Sequence, residues 1–236
     1  LRTLALLLGQ SLVDTARELW EPAHEGLIVP IDDDGHHAEP AGHEEMALLG
    51  EMNVSYQFLH DRVQQAAYSL LAEGDRTETH LRLGRLLASH LGTGAGEHVF
   101  DVVNQYNHGA ARLTESDERL RLARLNLSAA RKAKAAAAYE SALRYLEVGL
   151  SLLPETAWDT LYELAFELHV DAMEAALLSA QLERADALSG IALSHARTAF
   201  DKARVHEPRM LFHTAKNDFA AAIEAGLLAL SLLGDP

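Results

Sequence analysis

Residues 122–154 read LARLNLSAARKAKAAAAYESALRYLEVGLSLLP, rich in alanine and leucine until a proline closes the run. Both are strong helix formers, and no proline and no glycine before Gly149 interrupts them, so the stretch predicts helix. Within it, Ala142, Leu146, Gly149 and Pro154 follow the order small-x3-large-x2-small-x4-proline. Related small-residue pairs centre on Ala185 with Ala192 and on Ala222 with Ala229. The steps are 43 residues (142 to 185) and 37 residues (185 to 222). Small residues so placed let paired helices approach closely, and each hairpin then buries a face against the next. The expectation is a curved array with an irregular repeat.

The first member of the series resembles the second helix and closing proline of a tetratricopeptide repeat. From Leu59 onward every pattern is helical, with turns expected at EGD (73–75), at GTGAG (92–96) and at the Leu153-Pro154 step. Asp75 followed by Glu78 matches a capping box, and Thr114 with Asp117 is a weaker helix start. Tyr106 shares a stripe with Val99, Val102, Val103 and Ala110 that reads as core, while Asn104, Gln105 and Asn107 read as structural amides beside it.

Before Leu59 the chain changes character. Residues 1–8 and 11–20 are helical in pattern, Pro22 is expected to break or kink the second helix, and LIVPI (27–31) looks extended. VSYQF (54–58) alternates apolar and polar residues and can pair with LIVPI as a hairpin. Between them DDDGHHAEPAGHEE (32–45) is too polar for a core element, and 32–53 is read as a mobile loop. Two helices followed by a hairpin suggest part of a winged-helix module. The expected fold is therefore mainly α: an irregular tetratricopeptide-like helical-hairpin array over 74–236, preceded over 1–73 by a partial winged-helix module with a short β-hairpin.

Composition narrows the function. With 236 residues and 48% hydrophobic content the chain can bury a substantial core. The apolar run LALLL at 4–8 is far below the roughly 20 residues that cross a bilayer, and no secretory leader pattern is present, so a cytoplasmic location and no membrane partner are expected. A formal net charge of -15 repels nucleic-acid phosphates and anionic lipid alike, leaving protein partners, homo-oligomers included. The absence of cysteine excludes disulfides, thiol catalysis and thiolate metal sites. The chain starts at Leu1 in helical pattern and is read as a piece of a longer protein.

Candidate chemical motifs are weak. Gly92, Gly94 and Gly96 lack the phosphate-loop order, and none of Lys132, Lys134, Lys202 or Lys216 follows a glycine. His36, His37 and His43 among acidic residues have the donors for zinc but not a helical metal spacing, which favours a solvated insertion. His60-Asp61-Arg62 reverses the last two positions of a kinase catalytic loop, and leaves only a phosphoacceptor histidine as an enzymatic alternative. The segment SLVDTARELWEPAHEG (11–26) is too acidic for a DNA-recognition helix, so a protein-docking wing is the better reading.

One stretch has two differently furnished faces. In YQFLHDRVQQAAYSLL (56–71), Leu59, Val63, Ala66, Ala67 and Leu70 share one side, Asp61, Gln64, Gln65 and Tyr68 the other, with His60 and Arg62 at the boundary. The aliphatic side is expected to bury against the winged-helix remnant. This stretch closely resembles a segment of large bacterial signalling proteins that fuse a serine/threonine kinase-like domain, a STAND-class ATPase and a sensor histidine kinase. The resemblance continues through HLRLGRLLASHL, VFDVVNQYNHGAARL, the alanine-rich run quoted above and AIEAGLLALSLLG. It implies a connector, with ATP and magnesium held in a module upstream of Leu1 and none bound here. Read from the residues themselves, His60, Asp61 and Arg62 are expected to form a helix-start network joining adjacent domains, and Asp61, Gln64, Gln65 and Tyr68 to meet the first array helix or the absent ATPase core, a candidate interdomain interface. The expected function is a non-catalytic regulatory scaffold whose partners are other domains of the same polypeptide or a separate protein; the alternative is a phosphoacceptor or metal-binding segment using His60 or the His36 to His43 loop.

Overall fold

The computed structural model describes residues 1–31, 55–91 and 98–234. The expected loop at 32–53, with His36, His37 and His43, and the GTGAG turn lie outside those residues. The described chain is mainly α-helical with a short β-hairpin, as its sequence predicts. It divides into two compact units, Leu1–Gly94 with Asn104–Gly109, and Ala95–Val103 with Ala110–Pro236.

The first unit opens with α1 (Arg2–Leu8) and α2 (Leu12–His24). Gly9, at φ +70°, ends α1 in the left-handed region, and the Ser11 hydroxyl caps α2 by accepting the Asp14 amide at 3.1 Å. Pro22 does not break α2, which runs through it to His24. The proline sits in the last turn, where its missing N–H removes a single bond. Strands β1 (Ile28–Ile31) and β2 (Ser55–Phe58) pair antiparallel, with Ile28 opposite Phe58 and Pro30 opposite Tyr56. In a two-stranded sheet both strands are edges, which is where proline is tolerated.

Helix α3 (Asp61–Leu70) leads into α4 (Glu73–Leu91). The EGD segment is the first turn of α4 rather than a connecting turn, since the Asp75 and Arg76 amides both bond the Ala72 carbonyl at 3.0 Å. Asp75 is therefore inside the helix and not its cap. Helix α4 crosses the second half of α5 (Val99–Gly109) at two glycines. A methyl on Gly84 would meet Tyr106 Cγ at 2.8 Å, and one on Gly109 would meet Leu81 Cβ at 2.8 Å. Leu81 and Tyr106 are buried, as the expected Val99, Val102 and Val103 are.

The second unit contains three consecutive helical hairpins: α6 (Ser116–Ala135) with α7 (Tyr139–Ser151), α9 (Tyr162–Leu178) with α10 (Leu182–His195), and α11 (Ala199–Ala215) with α12 (Phe219–Leu233). The short α8 (Ala157–Thr160) precedes α9. Each hairpin turns the same way. Ala137, Ala180 and Asn217 adopt φ of 58°, 59° and 59°. The next amide (Ala138, Gln181, Asp218) bonds back five residues to Ala133, Ala176 and His213 at 2.8–2.9 Å. These are Schellman motifs, which satisfy carbonyls a helix end would leave unpaired. Their spacing of 43 and 37 residues equals that of Ala142, Ala185 and Ala222, all three buried. The irregularity has a local cause: residues 152–161, carrying α8, stand where 196–198 alone joins α10 to α11.

Helix α9 is the centre of this unit and is buried on nearly every side, from Leu164 to Leu177. Gly149 of α7 lets it come close, because a methyl there would lie 2.8 Å from Leu168 Cδ2. Val99 and Val103 from the first half of α5 pack with Ala129 of α6, and Phe100 stacks on Tyr145.

Candidate functional site

Helix α3 carries the residues that the sequence marks as an interface. His60 stands at its N-cap in extended conformation (φ -136°, ψ 135°) without a side-chain cap bond. Asp61, Arg62, Gln64 and Gln65 follow it and are exposed. The aliphatic side departs from expectation. Leu70 is 86% exposed and Leu59 42%, Ala66 and Ala67 are exposed, and only Val63 is half-buried. Burial needs an opposing surface, and the hairpin reaches only the start of the helix, where the Leu59 amide bonds the Leu27 carbonyl at 3.1 Å.

Tyr68, at the far end of α3, has side-chain partners among the described residues. Its hydroxyl lies 2.9 Å from Nε2 of His80 on α4, and Nδ1 of the same ring lies 2.7 Å from Oε1 of Gln105 on α5. An amide oxygen only accepts, so Nδ1 donates to Gln105 and Nε2 is the atom that faces the Tyr68 hydroxyl. His108 stacks on His80 with ring centroids 4.5 Å apart. Arg76 covers the Tyr68 ring at 4.7 Å and donates to the Leu71 and Ser69 carbonyls at 2.8 and 3.0 Å, closing the C-terminal end of α3. A hydrogen-bonded chain thus joins α3, α4 and α5 within the first unit. Gln105 serves as a structural amide, as its sequence context suggests.

The second unit holds a cluster that sequence reasoning missed. Trp158 of α8 stacks on His195 of α10 at 4.2 Å and touches His169 of α9 at 4.8 Å. The Arg197 guanidinium lies 4.0 Å over the Tyr162 ring, and its backbone amide donates to the Tyr162 hydroxyl at 3.1 Å. That hydroxyl donates onward to Asp201 at 2.7 Å, which closes a capping box with Thr198 at the start of α11. Burial opposes the charge of Asp201, but the bonds from Tyr162 and Thr198 prevail and hold its carboxyl below the usual range. Burial pushes the Tyr162 hydroxyl up and the His169 imidazole down. The one local signal in the sequence is the Thr198-x-x-Asp201 spacing of a helix start; the aromatic partners come from separate helices with no common spacing.

Beside this cluster opens a groove of about 600 Å³ lined by Arg124, Leu127, Asp159, Tyr162, Glu163 and Arg197, among others. It sets both charge signs beside aliphatic side chains. Between α6 and α9, Arg131 bonds Asp171 at 2.8 Å and Glu167 at 3.1 Å, while Lys134 bonds Asp171 at 2.8 Å and Glu174 at 2.6 Å. Partial burial works against the Lys134 charge, yet Asp171 and Glu174 outweigh it and raise the ammonium above the ordinary lysine range. Among the described residues, no group of three histidines or carboxylates is placed to hold a metal ion, and no helix is long and apolar enough to cross a membrane.

No protein-family model and no solved structure matches this chain. Hybrid signal transduction histidine kinase G of Dictyostelium discoideum contains a similar segment, 26% identical over 206 residues. The match takes in 77% of this chain, and the chain spans 6% of that protein's length. Neither compact unit alone amounts to that share, so the similarity includes residues of both.

Proposed function

We propose that this chain is a non-catalytic regulatory and protein-interaction segment of a larger cytoplasmic signalling protein, coupling an upstream STAND-class ATPase module to downstream sensor or kinase domains. The similarity to a segment of a hybrid signal transduction histidine kinase, which takes in residues of both units, supports the signal-transduction part of the reading, and the resemblance of residues 56–71 supports the STAND-class part. Three hairpins built on one turn geometry support a scaffold role, since such arrays present extended surfaces to other polypeptides. The winged-helix and tetratricopeptide-like identities of the two parts belong to the same proposal. Within it the exposed residues of α3 meet the ATPase module, and Tyr68 passes a change in that contact to α4 and α5 through His80 and Gln105.

Calorimetric titration of this chain with the separately produced upstream ATPase module, once with ADP and once with ATP, tests the reading. Nucleotide-dependent affinity that is lost in the Gln64→Ala, Tyr68→Ala double variant supports it. Equal affinity with both nucleotides, or a variant that is folded and unaltered, rejects the coupling.

A further inference from the structure

The ion pairs between α6 and α9 form a ladder. Arg131 reaches Glu167 and Asp171, 36 and 40 residues on, and Lys134 reaches Asp171 and Glu174, 37 and 40 residues on. Cations on α6 thus face carboxylates on α9, and both helices run the same way. Arg124 and Glu163, 39 residues apart, stand where the next rung toward the helix starts belongs. That rung is open. Both side chains line the groove of about 600 Å³, and among the described residues neither makes an ion pair or a side-chain hydrogen bond. The long connection at 152–161 supplies part of the groove wall, including Asp159, which is unpaired among the same residues. That wall is held in place: Trp158 stacks on His195, and Arg197 covers Tyr162 while donating to the Trp158 carbonyl.

We infer that this groove takes an extended polypeptide segment carrying an acidic and a basic side chain close together, the acid for Arg124 and the base for Glu163 and Asp159. Charge complementarity chooses that occupant. A purely basic ligand sets like charge against Arg124, and a purely acidic one sets it against two carboxylates, whereas a segment bearing both signs closes the open rung from within. Leu127 and Leu164, both buried, give the stems of its charged side chains an apolar surface to lie on. The groove is open to solvent, which suits a passing chain better than a small molecule, whose sites enclose most of its surface. The inference gives the protein-interaction part of the proposed function a place and a ligand class, and it rests on that part alone.

The test is an array of immobilised decapeptides, random except for a central pair that reads Glu-x-Lys, Lys-x-Glu, Glu-x-Glu, Lys-x-Lys or Ala-x-Ala, probed at low salt with the fluorescently labelled 236-residue chain. The mixed pairs are expected to retain at least about tenfold more chain than Lys-x-Lys does. That comparison discriminates, because a chain of formal charge -15 attracts basic peptides over its whole surface, and the demand for an acid as well is what Arg124 adds. Arg124→Glu should turn the preference to Lys-x-Lys, and Glu163→Gln should weaken the mixed pairs; circular dichroism checks that both variants are folded. No retention of any peptide, a native preference for Lys-x-Lys, or mixed pairs indifferent to Arg124→Glu would overturn the inference. So would displacement by free glutamate or lysine, which would assign the groove to a small zwitterion. A double-mutant cycle of Arg124→Ala and Glu163→Ala in which the two losses of stability are coupled would overturn it too, by showing that the two side chains pair with each other. Failure here leaves the nucleotide-dependent coupling through α3 standing, and failure of that coupling leaves the groove standing.

Discussion

Gly84 of α4 lies so close to Tyr106 of α5 that a methyl on it would come within 2.9 Å of the Tyr106 Cα as well as 2.8 Å of its ring. The obstacle is backbone, which cannot rotate away. Gly84→Ala is therefore expected to destabilise the protein by about 2–3 kcal/mol, overpacking exceeding the propensity gain of alanine. Gly190 of α10 is the control, with nothing within 4 Å of the added methyl. Gly190→Ala should stabilise by about 0.5–1 kcal/mol. Urea unfolding of both variants checks the opposite signs.

The hairpin turns place alanine in a left-handed conformation that favours glycine, at Ala137 and Ala180 with φ of 58° and 59°. Ala180→Gly is expected to add about 1 kcal/mol by relieving that strain. In the opposite direction, Asn217→Val should cost more than Asn217→Gly, because a β-branched residue resists positive φ. A loss of stability in Ala180→Gly would show that the turn is not strained.

Ser189 is 2% exposed, and its hydroxyl has no hydrogen-bond partner among the described residues. An unsatisfied buried hydroxyl costs about 1–3 kcal/mol, so Ser189→Ala should raise the melting temperature. A lowered melting temperature would mean that the hydroxyl is satisfied after all.

Asp171 is shared by Arg131 and Lys134 across the α6 and α9 pair. Asp171→Asn leaves each cation one acidic partner, Glu167 or Glu174, so the expected loss is about 1–3 kcal/mol rather than that of a fully orphaned charge. The raised Lys134 adds a pH dependence. Its contribution is fully present below the unfolded lysine value of about 10.4 and is lost as pH rises through the higher folded value. Thermal melts between pH 9 and 11, roughly spanning the lysine range, should show a steeper decline in the native protein than in Lys134→Met.

His169 supplies the opposite limb. Burial lowers its pKa, so the unfolded chain binds its proton more readily than the folded one. Stability is therefore complete above the unfolded histidine value of about 6.5 and falls as pH drops through the lower folded value. His206 is lowered by burial as well and adds to the same decline. Melting temperatures from about pH 7.5 to 5 should fall less in His169→Gln than in the native chain, once each is compared with its own neutral value.

Much of this architecture is written in local sequence. The hairpin β1–β2 follows from two alternating segments, because strand periodicity needs only neighbouring residues to be read. The 43- and 37-residue steps at Ala142, Ala185 and Ala222 mark three real turns, since a small residue at a fixed distance from a turn is what close helix pairing demands. What sequence could not supply is which face of a helix finds a partner. The aliphatic side of α3 has the spacing of a buried stripe, yet Leu59 and Leu70 stay exposed because the hairpin meets only its first turn. Tyr68, His80, Gln105 and His108 come from three helices, and Trp158, Tyr162, His195 and Asp201 from four. Helix type and turn position are local properties that residue order determines; the meeting of side chains distant in sequence depends on how helices cross, and only the tertiary structure decided it.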